Sequence, residues 1–357
     1  MLCLLRGPAT PTIQPAVPLR RASRAEVPTH RSVPSVALAQ GLAVGFLASV
    51  ASARSGRSRR RATAGAGLFP VPGTEVELEV LGGPGTEGET TNPARGVSLL
   101  FVHGSYHAAW CYEEHFLDFF RDLGFPSYAL SLRGQGKGNT GKLPLQSVAG
   151  TLEEHASDIT AFVRHLRKLH DQPVILLGHS FGGLMVLQSA SDLAGEDALA
   201  GLILLCSVPP AGNVGIILRS LFKAPLQALR ITWGFVARAF ERDAGLCQEL
   251  FFDADTPPDD VEKYMGLMKG GCPEGTRLLD LRQLQRSLPV PACQHVPVLV
   301  VGGDKDAIVD AEALEESAAA HGITPVVLPG VAHDSMLGTR WRMAADSILH
   351  WLEKTQG

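Results

Sequence analysis

The stretch Val174-Ile175-Leu176-Leu177-Gly178-His179-Ser180-Phe181-Gly182-Gly183 decides the fold. Its first four residues are apolar, two of them β-branched, and read as a strand buried on both faces. From Phe181 to Leu193 the apolar side chains return at helical spacing. Between the two lies G-x-S-x-G, so the chain must turn sharply from strand to helix at Ser180. Gly178 and Gly182 lack the Cβ atoms that would collide in such a turn. A serine held there presents its hydroxyl at the carboxyl edge of a sheet. The amide of Phe181 lies at the helix N-terminus, where unpaired N–H groups can receive a developing negative charge.

Outward from this point, short apolar runs alternate with longer amphipathic ones. Strands are expected at Val76–Val80, Val97–Val102, Ser127–Leu132, Leu202–Leu205, Val298–Val301 and Thr324–Leu328. Helices are expected at Leu152–Leu169, Ala311–Ala320 and Trp341–Leu352. Repeated strand–helix units imply an α/β class with a mainly parallel sheet covered on both faces by helices. The alternation stops over residues 208–292, where Pro and Gly punctuate amphipathic stretches such as Val214–Leu229 and Val261–Met268. That segment reads as an inserted helical cap, with the core formed by residues 68–207 and 293–357.

A serine hydroxyl is a weak nucleophile at neutral pH and needs a base, which needs an orienting acid. The order expected on a strand–turn–helix serine is Ser, then Asp or Glu, then His. His333 follows the last strand in Leu328-Pro329-Gly330-Val331-Ala332-His333-Asp334, placed to reach over Ser180. The acid should follow the preceding strand, in Gly302-Gly303-Asp304-Lys305-Asp306; Asp306 is preferred, with Asp304 and the helix-capping candidate Asp310 behind it. A second oxyanion donor is expected in His103-Gly104-Ser105-Tyr106-His107, at the amide of Ser105 or else of Tyr106, beside that of Phe181. His103 itself reads as a hydrogen-bonding residue of the turn.

Together these motifs resemble the α/β-hydrolase superfamily over roughly 72–356, nearest to its cap-bearing esterases, lysophospholipase-like hydrolases and plant methylesterases. The resemblance also rests on Ser131-Leu132-Arg133-Gly134-Gln135-Gly136, where relatives often carry His in place of Gln135, and on His333-Asp334-Ser335-Met336-Leu337. It implies a serine hydrolase that cleaves a small-molecule, apolar carboxylic ester through an acyl-enzyme on Ser180, without metal or organic cofactor. Acyl transfer or thioester hydrolysis by the same triad, and a catalytically silent ligand-binding protein of the same fold, are the alternatives. The expected partners are the small-molecule ester and, transiently, a membrane or lipid, and not nucleic acid.

Composition bounds the rest. The chain has 357 residues, 45% hydrophobic and 19% charged, enough for one large domain and a tail. Residues 1–67 hold ten Arg and a single acid, Glu26; the remainder carries 22 basic and 35 acidic side chains, a net of −13 that argues against phosphate-driven nucleic-acid binding. None of the six cysteines forms a CxxC pair, which argues against a zinc site or a disulfide framework. The Arg-rich, acid-poor segment 1–67 reads as a disordered, cleaved targeting leader, most like those of plastid proteins, with retention as an anchor through residues 36–53 as the alternative.

Overall fold

The computed structural model describes residues 65–85, 96–137, 148–272, 276–280 and 296–356. Eight strands form one sheet: β1 (Gly65–Pro70), β2 (Glu77–Gly83), β3 (Ser98–Val102), β4 (Ser127–Leu130), β5 (Val174–His179), β6 (Leu199–Leu205), β7 (Val298–Gly303) and β8 (Val326–Leu328). Their spatial order is β1-β2-β4-β3-β5-β6-β7-β8, with β2 antiparallel to both neighbours and β3 to β8 mutually parallel. β5 is buried at all six positions. Its pleat sends Ile175 and Leu177 into one apolar layer and Val174 and Leu176 into the other. This is why its sequence is continuous rather than alternating.

The first layer holds α1 (Trp110–Glu113), α2 (Phe116–Asp122) and α10 (Trp341–Gln356). The second holds α3 (Leu152–His170), α4 (Gly182–Asp192) and α9 (Ala311–Ala320). Thr151 fixes the start of α3 by a reciprocal cap, its hydroxyl accepting from the Glu154 amide while the Glu154 carboxylate accepts from the Thr151 amide. Asp310 caps α9 by accepting from the Ala313 amide.

Between β6 and β7 lie α5 (Val214–Lys223), α6 (Pro225–Val236), a single 3₁₀ turn (Ala239–Glu241), α7 (Ala244–Phe251) and α8 (Pro258–Gly271). The stretch Val214–Leu229 is two helices, because Pro225 cannot donate an amide into a continuing helix but suits the first turn of a new one. The inner cap helices join the first apolar layer through Leu246, Leu250, Phe251, Tyr264 and Met268.

One boundary is corrected. The core includes residues 65–67 as well as 68 onward: β1 pairs antiparallel with β2 from Gly65–Gly82 to Pro70–Glu77, so these three residues belong to the sheet and not to the leader. The rest of the leader, including the run at residues 36–53, lies outside the described residues, as do residues 273–275 and 281–292 of the cap. No helix among the described residues is long and apolar enough to cross a membrane.

Candidate active site

β5 delivers Ser180 to the carboxyl edge of the sheet in a left-handed conformation, φ +54°. That conformation is costly for a residue with a Cβ and is held by its surroundings: the Ser180 amide donates to the Leu205 carbonyl at 3.1 Å, and the Ser180 carbonyl accepts from the Gly183 amide at 3.1 Å. A Cβ on Gly182 would meet the His103 carbonyl oxygen at 2.4 Å. The elbow and the His103 loop can therefore interlock only if position 182 is glycine. On the other side, a Cβ on Gly104 would sit 2.7 Å from the Ser180 Cβ, so the loop after β3 runs directly against the serine.

The loop after β7 carries Asp306 and the loop after β8 carries His333. His333 Nδ1 donates to Asp306 Oδ2 at 2.8 Å, which leaves Nε2 as the free lone pair. Asp306 Oδ1 accepts from the amides of Ile308 and Val309 at 2.8 and 2.9 Å, fixing the plane of the carboxylate. Burial opposes a charge on His333, but the carboxylates of Asp306 and Asp334 outweigh it and hold the imidazole above its ordinary value. Asp304, by contrast, accepts from the Gly330 amide at the exposed base of the loop, and Asp310 binds Arg219 besides capping α9. Of the three acids only Asp306 bonds to His333. No hydrogen bond joins Ser180 Oγ to His333 among the described residues.

The amides of Ser105 and Phe181 donate to no backbone carbonyl among the described residues, which leaves them available to an oxyanion, whereas the Tyr106 amide is taken up by the Cys272 sulfur. His103 has the structural role read from its place in the turn. Its Nδ1 donates to the Gly104 carbonyl at 2.8 Å and its Nε2 accepts from the Leu132 amide at 3.0 Å, tying the loop after β3 to that after β4. Burial pushes its pKa down to about 3, so it stays neutral.

Three further groups complete the site, and sequence reasoning gave them no role. Asp334 Oδ2 lies 2.8 Å from His107 Nε2, and His107 Nδ1 donates to the Ser105 carbonyl at 2.8 Å. A carbonyl can only accept, so Nδ1 holds a proton, and the contact to Asp334 needs a second one between imidazole and carboxylate. Burial would raise the Asp334 carboxyl, but His107 foremost, then His179 and His333, hold it below the usual range. His179 donates from Nε2 to the His333 carbonyl at 3.0 Å and stays neutral, burial lowering it to about 3. The adjacency of Asp334 to His333 was the one available signal. Gln135, the departure from the common pattern, is buried against Cys272 at the end of α8 and links the loop after β4 to the cap.

His179, His333 and Asp334 bring three donor atoms within 4.8 Å of one another. His179 Nε2 and Asp334 Oδ2 are taken by the His333 carbonyl and by His107, while His179 Nδ1 and Asp334 Oδ1 have no hydrogen-bond partner among the described residues.

Similarity to known proteins agrees with this geometry. A curated relative, the carbendazim hydrolyzing esterase of Nocardioides sp. (strain SG-4G), is 29% identical over 154 residues, 43% of this chain; the chain spans 60% of that protein's length. Among solved structures, a soluble variant of monoglyceride lipase from Saccharomyces cerevisiae superposes with a TM-score of 0.58 at 18% identity, over 83% of this chain and 97% of that one. Bromoperoxidase from Bacillus anthracis does so with a TM-score of 0.57 at 16% identity, over 81% and 100%. These distant likenesses speak for the fold and not for one chemistry. Residues 99–344, from β3 through the loop that bears His333, match the model of the alpha/beta hydrolase family, and with the elbow and the Asp306–His333 pair inside that span the chain belongs to this family.

Proposed function

We propose that this protein is a serine hydrolase that cleaves apolar carboxylic esters through an acyl-enzyme on Ser180. The observation that carries the reading is the 2.8 Å bond from His333 Nδ1 to Asp306, which leaves Nε2 as the ring nitrogen open to accept a proton. In this mechanism His333 Nε2 takes the Ser180 proton as Oγ attacks the ester carbonyl. The free amides of Phe181 and Ser105 receive the oxyanion. Collapse of the tetrahedral adduct breaks the bond to the alcohol, which leaves with the proton from His333. Water, deprotonated by the same imidazole, then releases the acid and restores Ser180. The esterase and lipase named among similar proteins favour an ester over other acyl compounds.

The test follows p-nitrophenyl esters of increasing chain length with the full chain and its Ser180→Ala variant. Turnover is expected in the parent, with a loss on the order of 10³ or more in the variant. Equal rates in both would reject Ser180 as nucleophile.

A further inference from the structure

The helical hairpin α5–α6 is built inside out. On α5, Val214, Ile217, Leu218, Leu221 and Phe222 recur at i, i+3, i+4, i+7 and i+8, the spacing of a core-facing stripe. Yet all five are exposed, Phe222 at 87%, and Ile216 alone on that helix is buried. On α6, Leu226, Leu229, Trp233 and Val236 form a second exposed stripe, with Leu226 at 83% and Trp233 at 57%, while Ala228 and Gly234 face inward. Nine of the thirteen exposed large apolar side chains among the described residues fall within 214–236. Scattered exposed apolar residues need no explanation; two aligned stripes on adjacent helices do.

Charge selects the occupant. The body is strongly acidic, but residues 198–240 contain no Asp or Glu. The bases of the hairpin, Arg219, Lys223 and Arg230, are bridged to Asp310, Glu316, Glu312 and Glu249. No unpaired carboxylate of the hairpin therefore opposes an anionic surface. Along the middle turns of both helices the backbone groups bond within the helix, so the apolar stripes can enter an apolar phase without orphaning them. An exposed Trp among Leu, Ile and Phe is the composition of a helix lying in a membrane interface.

We infer that the outer face of α5–α6 docks the protein on a phospholipid surface, from which the apolar ester is drawn. The substrate half of this statement rests on the hydrolase reading above. The inner side of the same hairpin leads to the site. The Tyr106 hydroxyl donates to the Phe235 carbonyl at 2.7 Å, the Phe235 ring lies 5.7 Å from that of Phe251, and Phe251 lies 6.4 Å from His333. A docked hairpin thus stands one aromatic layer from the catalytic imidazole.

The experiment measures partition of the full chain onto sucrose-loaded vesicles of phosphatidylcholine with phosphatidylglycerol, for the parent and for F222S/L226S/W233S. These side chains leave the core untouched, and retained turnover of a soluble short-chain ester checks the fold. The triple variant should bind roughly tenfold more weakly or worse. Vesicles with brominated acyl chains should quench tryptophan emission in the parent and much less in Trp233→Phe. The segment before Gly65 contains no Trp, so binding through it would leave this signal unchanged. Parent and triple variant binding alike, undiminished quenching in Trp233→Phe, or a dimer that the triple variant dissolves with no vesicle binding would each overturn the inference. Vesicle binding is read without turnover, so docking without any ester hydrolysis would reject the hydrolase reading alone.

Discussion

Asp334 and His107 stand 227 positions apart in the chain and meet at 2.8 Å, with their side chains 0% and 1% exposed. The pair connects the two halves of the site: Asp334 follows the candidate base, and His107 holds the carbonyl of Ser105 in the loop that offers the oxyanion donors. Asp334→Asn keeps the shape and removes the charge. The carboxylate is one of the groups that raise the His333 pKa, so the acidic limb of the kcat/KM profile should move to lower pH. A loosened oxyanion loop should also lower kcat by up to about 10²-fold with little change in KM. A profile that stays in place would assign Asp334 to packing alone.

His333 must be neutral to act as base, and its pKa is raised above 6.5 in the folded protein. Activity should therefore rise with pH through a midpoint above that value. Asp306→Asn removes both the Coulombic attraction and the hydrogen bond, so burial then dominates and the midpoint should fall below 6.5. The plateau should drop on the order of 10⁴-fold, because the imidazole loses the partner that fixes its tautomer. A pH–rate series on both proteins separates the two effects.

Acid should unfold this protein early. His103, His155 and His179 are fully buried, and burial depresses their pKa values to about 3, 4 and 3. Unfolded, each takes a proton near 6.5. The unfolded state then binds more protons as pH falls below that value, and stability is lost by up to about 1.4 kcal/mol per pH unit per group. Denaturant midpoints from pH 7 to pH 5 should fall steadily, and less steeply in His155→Gln.

Gly104→Ala places a Cβ 2.7 Å from that of Ser180 and 3.1 Å from the His179 carbonyl. Neither neighbour can yield without distorting the elbow. Destabilisation of about 1–3 kcal/mol is expected, together with a rate loss larger than that of any surface glycine substitution. Thermal melts beside the ester assay check both.

Much of this was legible in the chain because the signals were local. The continuous apolar run of β5, the G-x-S-x-G turn and the His333 loop each lie within about ten residues. β1 was not legible. Its sequence, GAGLFP, carries neither alternation nor β-branched residues, and it is a strand only because β2 offers it an open edge. The His107–Asp334 contact was hidden by its separation in sequence. The apolar stripes of α5 and α6 were visible as periodicity, but periodicity gives a face and not its direction, and here the face turns outward.

The loop bearing His333 is clasped from both sides by the end of α7. The Phe251 carbonyl accepts from the Asp334 amide, and the buried Asp253 carboxylate accepts from the Ala332 and Arg340 amides and the Thr339 hydroxyl. The insertion and the proton-transfer machinery are thus not interchangeable parts. A chimera that grafts another family member's cap at β6 and β7 would carry away the clamp on its own base, so substrate range and catalytic competence in this chain must be inherited together.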